Sequence, residues 1–341
     1  MPNLRERAMK AKEAGNYVEE YGLWNQLAHK GGDAIDYCRA ALAAHNLGKW
    51  TDSWNAYQQA LKVDPRCAHA MSLLGFLFRN RTDGERSANL HQAKDWYLRA
   101  LKIERKARWL FFLGATYGEL KEIAAATDAF KDAIALRPGY EEAYLNLALL
   151  NIYESANPQQ AREYLDKAIE LDPTYAEAYF YLAELSKDQN PQEAREFLEK
   201  AIENDPKHAG WYFKLAMLSK QQASPKALTL LEKAIEINPN YGDAHQQLGD
   251  LLHKEGNLEE AEFHFRRSLE INPADYFSHL FLADLLAVQE RDEEAERMYR
   301  AAIALPQEDG AGYKFFANFL DDLSRHEEAN EIRARKPSKA G

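Results

Sequence analysis

The chain has 341 residues, 46% of them hydrophobic and 28% charged, with 54 acidic against 43 Lys and Arg side chains for a net charge of −11. That balance belongs to a folded, water-facing chain and excludes a nucleic-acid binder that works through overall positive charge. No apolar run approaches the roughly 20 residues of a membrane span, and the opening MPNLRERAMKAK lacks the apolar core of a secretory leader.

In chain order, residues 4–30 read as a degenerate helix pair, with Gly15 at the turn and Trp24 in the second helix. A fuller unit runs from Ala34 to Pro65, marked by Tyr37, Gly48, Ser53, Tyr57 and Ala60. The next unit is long by about six residues, and the stretch from Arg79 to Asn89 is expected to be an extended loop between its helices. From there a beat sets in. Pro138, Pro173, Pro206, Pro239, Pro273 and Pro306 each close a helical stretch, 33 to 35 residues apart. Pro65 precedes Pro138 by 73 residues, two units if Arg105 stands where a proline would be. Such a period means an array of one supersecondary unit in place of a single core.

Within each unit a Leu-Gly or Leu-Ala step recurs: Leu74-Gly75, Leu113-Gly114, Leu147-Ala148, Leu182-Ala183, Leu215-Ala216, Leu248-Gly249, Leu282-Ala283, with Phe316-Ala317 at the end. A second-helix alanine follows at Ala93, Ala126, Ala161, Ala194, Ala227, Ala261, Ala295 and Ala329. Four residues later stands an aromatic or leucine: Tyr97, Phe130, Leu165, Leu198, Leu231, Phe265, Tyr299. Small residues let two helices approach, and the large ones fill the space beside them. Proline then stops the second helix because it lacks an N–H.

These motifs, in register over nearly the whole chain, resemble the tetratricopeptide repeat family. The resemblance implies an all-α, right-handed α-solenoid of about nine helix–turn–helix repeats. The expected boundaries are a degenerate capping pair at 1–32, a continuous solenoid at 33–336 and a short tail at 337–341. Arg333 and Lys336 stand where other units are apolar or small, as an outer cap needs. Some family members grip a chaperone's terminal carboxylates with Lys, Asn and Arg on successive first helices. Asn146 matches one such position. Phe111, Ala115, Glu177 and Tyr181 stand where the rest of the clamp would be, so the clamp is absent. Nor is there an asparagine ladder, because the equivalent positions read Phe112, Asn146, Tyr181, Lys214 and Gln247.

No phosphate loop, dinucleotide loop, zinc-protease helix or nucleophile elbow occurs, so no catalytic residue, metal site or cofactor is expected. His245, His253 and His264 lack a third ligand, and paired glutamates such as Glu141-Glu142 suit helix starts. Cys38 and Cys67 read as free thiols of a cytoplasmic protein, with a disulfide or a metal pair as the alternative. Charge is uneven: residues 1–110 hold 18 basic and 12 acidic side chains, whereas the remainder holds 25 and 42. The basic peak is Arg99, Lys102, Arg105, Lys106 and Arg108, a candidate secondary patch that could equally be a solvated helix end.

By the resemblance, the first-helix stripe opposite the packing step lines a concave groove. In the middle units it is apolar: Phe111, Leu145, Leu149, Ile152, Phe180, Phe213 and Met217, flanked by Phe112, Tyr153 and Tyr181. Further on it turns acidic at Asp243, Asp250, Asp284, Asp321 and Asp322. The apolar part fits either a partner groove or packing between repeats. The expected function is therefore a non-catalytic scaffold or adaptor that binds a peptide or helix of another protein. Its rivals are a self-associating assembly subunit and an accessory that presents substrates to a separate enzyme. Neither nucleic acid nor membrane is an expected partner.

Overall fold

The computed structural model describes residues 3–82, 84–220, 224–306 and 310–335. Among them the regular elements are α-helices joined by short turns, and no strand occurs. The chain divides into two compact units, one ending at Thr174 and one beginning at Tyr175.

The first unit holds α1 (Leu4–Glu13), α2 (Tyr17–His29), α3 (Ala34–Asn46), α4 (Trp50–Val63), α5 (Ala68–Arg79), α6 (Arg86–Ile103), α7 (Ala107–Glu119), α8 (Ile123–Leu136), α9 (Glu141–Tyr153) and α10 (Pro158–Leu171). The second holds α11 (Ala176–Ser186), α12 (Pro191–Asn204), α13 (Ala209–Ser219), α14 (Ser224–Ile237), α15 (Gly242–Lys254), α16 (Leu258–Ile271), α17 (Tyr276–Val288), α18 (Asp292–Ala304), α19 (Ala311–Asp322) and α20 (His326–Ala334). Odd-numbered helices pack on the even-numbered helix that follows, and within each unit successive pairs stack. In the first unit α3, α5, α7 and α9 also touch in series. Each unit is thus a stretch of α-solenoid built from helix–turn–helix repeats.

Local chemistry sets the helix ends. Asn157 and Asn190 cap α10 and α12, accepting from the backbone N–H of Gln160 and Glu193, with Pro158 and Pro191 in the first turn. Most of the described turns between paired helices place one residue at positive φ, the turn from α11 to α12 being an exception. Gly15, Gly48 and Gly256 fill it without strain at +69°, +71° and +86°, but Lys121, Glu290 and Ser324 take the same role at 61°, 58° and 62°. The turn geometry therefore comes from packing of the pair, and glycine is its easiest occupant.

The packing step is visible atom by atom. The second-helix alanines, from Ala93 to Ala329, are fully buried, as are Tyr97, Leu165, Leu231 and Phe265. A Cβ on Gly75 would stand 2.8 Å from the Tyr97 ring, and one on Gly249 would stand 2.8 Å from Phe265. Only a residue without a side chain lets these helices meet over a ring. Gly22 shows the converse. It is exposed in α2, and a Cβ there meets nothing within 4 Å. Gly22→Ala should raise stability by about 0.5–1 kcal/mol, because alanine loses less backbone entropy in a helix. An urea-denaturation midpoint at or below that of the parent would contradict this.

One expectation is corrected. The extra residues between Arg79 and Asn89 are not all loop. α6 begins at Arg86 and runs for 18 residues, so part of the insertion lengthens that helix by a turn. Asn89 is buried there, which anchors the added turn against the repeat.

Candidate partner-binding groove

The apolar stripe divides between the units. In the first, Phe111 stacks on Tyr140 at 5.0 Å and leans on Phe130 at 5.7 Å. Leu145 is buried, Leu149 and Ile152 are half-buried, and Tyr153 is 67% exposed. In the second, Phe180 stacks on Trp211 at 5.7 Å and meets Tyr181 edge-on at 5.0 Å. Phe213 leans on Tyr241 at 5.1 Å, and Met217 packs against the second unit's core. Three times, then, a first-helix ring clasps an aromatic at the start of the next first helix. These rings give one edge to packing between repeats and keep another half open.

The basic patch separates into two surfaces. Arg105 pairs with Asp132 at 2.6 Å, and with Lys102 it borders a shallow groove that Asp128 shares. Arg99 lies over Trp96 at 4.7 Å. Lys106 pairs with Glu104 at 2.9 Å and covers Trp109. Arg108 lies over Phe112 at 5.5 Å, and no carboxylate among the described residues pairs with it.

Phe112 and Arg108 meet in a cleft of about 220 Å³ walled only by first helices: Leu42 of α3, His69, Ser72, Leu73 and Phe76 of α5, and Arg108, Trp109 and Phe112 of α7. Phe76 approaches Phe112 at 5.9 Å. Burial holds the His69 imidazole below its usual range, helped by Lys106, Arg108 and Arg39. The stripe as read from the middle units omits Leu42, His69 and Phe76. The available signal is the register: Phe76 stands two residues after Leu74, as Leu149 does after Leu147.

The acidic stripe is answered internally. Burial pushes the Asp250 carboxyl up, but Lys220 at 2.6 Å and Lys254 at 2.9 Å bring it net below its usual range. Asp284 accepts from the Tyr299 hydroxyl, and burial raises its carboxyl. Asp321 accepts from Arg333 and meets His326 at 2.9 Å. Only Asp243 and Asp322 of this set are exposed.

Cys38 and Cys67 are buried free thiols in one apolar cluster. Among the described residues no three His, Cys, Asp or Glu side chains gather closely enough to hold a metal, and no helix is long and apolar enough to cross a membrane.

Comparison with known proteins agrees with this architecture. Sequence profiles of the tetratricopeptide repeat match residues 38–103, 153–209 and 230–263. A tetratricopeptide repeat protein from Parabacteroides merdae is similar in structure, with a TM-score of 0.51 and 19% identity over 74% of this chain and 98% of that one. The Cut9–Hcn1 hetero-tetramer of the APC/C gives 0.52 and 15% identity over 83% of this chain and 55% of that one. YrrB, described as a repeat protein with an unusual peptide-binding site, gives 0.47 and 26% identity over 60% and 99%. The period, the small-residue packing step, the stacked pairs and the profile matches agree that the chain is a tetratricopeptide repeat protein.

Proposed function

We propose that the chain is a non-catalytic scaffold or adaptor that holds a peptide or helical segment of another protein against its first helices. Tetratricopeptide repeats are generally interaction modules. The observation that carries the reading is the cleft across α3, α5 and α7. Its rings Phe76 and Phe112 stay half-open to solvent, although the packing step beside them is sealed. A half-exposed apolar cleft rimmed by polar groups is suited to a partner's side chain. The stripe residues Phe111, Leu149, Ile152, Tyr153, Phe180, Tyr181, Phe213 and Met217 extend the proposed contact surface along each unit, whereas Leu145 supports it from beneath.

Affinity capture with the parent and with Phe76→Asp tests the reading. The charge enters the cleft without touching the Leu74-Gly75 step, so the variant should stay folded, with melting lowered only by the lost contacts of Phe76 with His45 and Phe112. Captured partners should be lost, since an apolar pocket cannot desolvate the new carboxylate cheaply. An undiminished partner set on a folded variant would refute the cleft as the binding site.

A further inference from the structure

A second cleft, of about 440 Å³, lies beside the first in the same unit, between α1, α2 and α3. Met9, Trp24 and Leu42 supply its apolar wall, and Leu42 lines both clefts. The two clefts therefore adjoin at one leucine.

The charges along these clefts are unequal in availability. Lys12 and Arg39 line the second cleft and Arg108 the first. Among the described residues neither Lys12 nor Arg108 has a salt-bridge partner, and Arg39 reaches the buried Asp36 only at 3.8 Å while lying over Trp24 at 4.7 Å. The acids facing them are Glu13, which is exposed, Glu20 and Glu104. Glu104 is engaged with Lys106 at 2.9 Å. Glu20 is 4% exposed, its Oε2 has no hydrogen-bond partner, and burial raises its carboxyl against the pull of Lys12 and Trp24. Lys106, Arg108 and Arg39 all lie near enough to His69 to help burial lower its imidazole, with Glu104 opposing.

We propose that the two clefts together take an acidic peptide segment, with apolar side chains seated against Met9 and Leu42 and over the half-buried rings of Phe76 and Phe112, and carboxylates held by Arg39 and Arg108. This rests on the groove reading above and adds the partner's chemistry. Each guanidinium sits over an aromatic ring, Arg39 over Trp24 at 4.7 Å and Arg108 over Phe112 at 5.5 Å, and a guanidinium can pair with a carboxylate through two parallel N–H groups. A segment that spans both clefts across Leu42 would mix acidic side chains with leucine or aromatic residues.

Selection of random decapeptides displayed inside a carrier protein, on the full chain, tests this without presupposing the ligand. Sequences mixing Asp or Glu with Leu, Phe or Trp should be enriched. Made synthetically with blocked ends, such a peptide should bind at least tenfold more weakly to Arg39→Glu/Arg108→Glu, and the glutamine version of the peptide should bind the parent comparably weakly. Raising the salt should weaken only the acidic peptide. Circular dichroism monitors folding, and Arg108→Gln alone replaces the double variant if that fails to fold. Enrichment of neutral or basic apolar peptides, lost on Phe76→Asp but indifferent to Arg108→Gln, overturns the acidic partner and leaves the groove reading standing. No enrichment sensitive to any of these variants overturns both. Concentration-dependent dimerisation abolished by Arg108→Gln assigns the clefts to a second copy of the chain and overturns the peptide.

Discussion

Gly114→Leu should destabilise the first unit by about 1–3 kcal/mol or more, with the loss concentrated in α7, α8 and their neighbours. A Cβ at Gly114 already stands 2.9 Å from the Phe130 ring, and Phe130 is 1% exposed, with no free space to swing into. Alanine would gain about 1 kcal/mol of helix propensity against that clash, and leucine adds three more carbons to it. The measurement is hydrogen exchange by segment alongside thermal melting. Protection should fall in α7 and α8 first and spread to adjacent repeats, since each repeat in such an array is stabilised by its neighbours. Unchanged melting would show that α7 and α8 do not meet at this residue.

The second unit should lose stability as pH falls below about 6.5. His245 Nδ1 and His264 Nδ1 are 2.9 Å apart, and His245 Nε2 lies 3.2 Å from the Pro239 carbonyl. In the neutral pair His245 donates its Nε2–H to Pro239, and His264 donates to the bare Nδ1 of His245. Burial, then the neighbouring His245, brings His264 down from 6.5 to about 4. Burial also lowers His245. The folded values lie below the unfolded ones, so on acidification the unfolded chain takes protons first. The stabilisation is whole above about pH 6.5 and is lost as pH falls through about 4. For His264 this amounts to about 3 kcal/mol over the interval. Denaturant midpoints read by exchange in α15 and α16 should drop between pH 7 and pH 4.5, and His264→Gln should flatten that drop. A flat profile in the parent would show that the two imidazoles do not need to be neutral for α15 and α16 to pack.

The repeat architecture was legible in sequence because its determinants are local and recur. The proline beat, the small residue at Gly75, Gly114 and Gly249, and the buried partner four residues beyond each second-helix alanine are one contact written many times. A face shared between packing and solvent could not be read the same way. Phe111, Phe180 and Phe213 look alike in the sequence, but what each leaves open depends on Tyr140, Trp211 and Tyr241, which arrive from the following repeat. The charges behaved likewise. Asp250 reads as an acidic groove residue until Lys220 and Lys254 reach it, and Arg105 reads as patch until Asp132 pairs with it. Periodicity along one chain therefore determined which residues form helices and where paired helices touch. Which side chains remain available to a partner was decided only by tertiary structure, because availability is set mostly by neighbours about 30 residues away in sequence, whose side chains either answer a charge or leave it, as at Arg108, unpaired among the described residues.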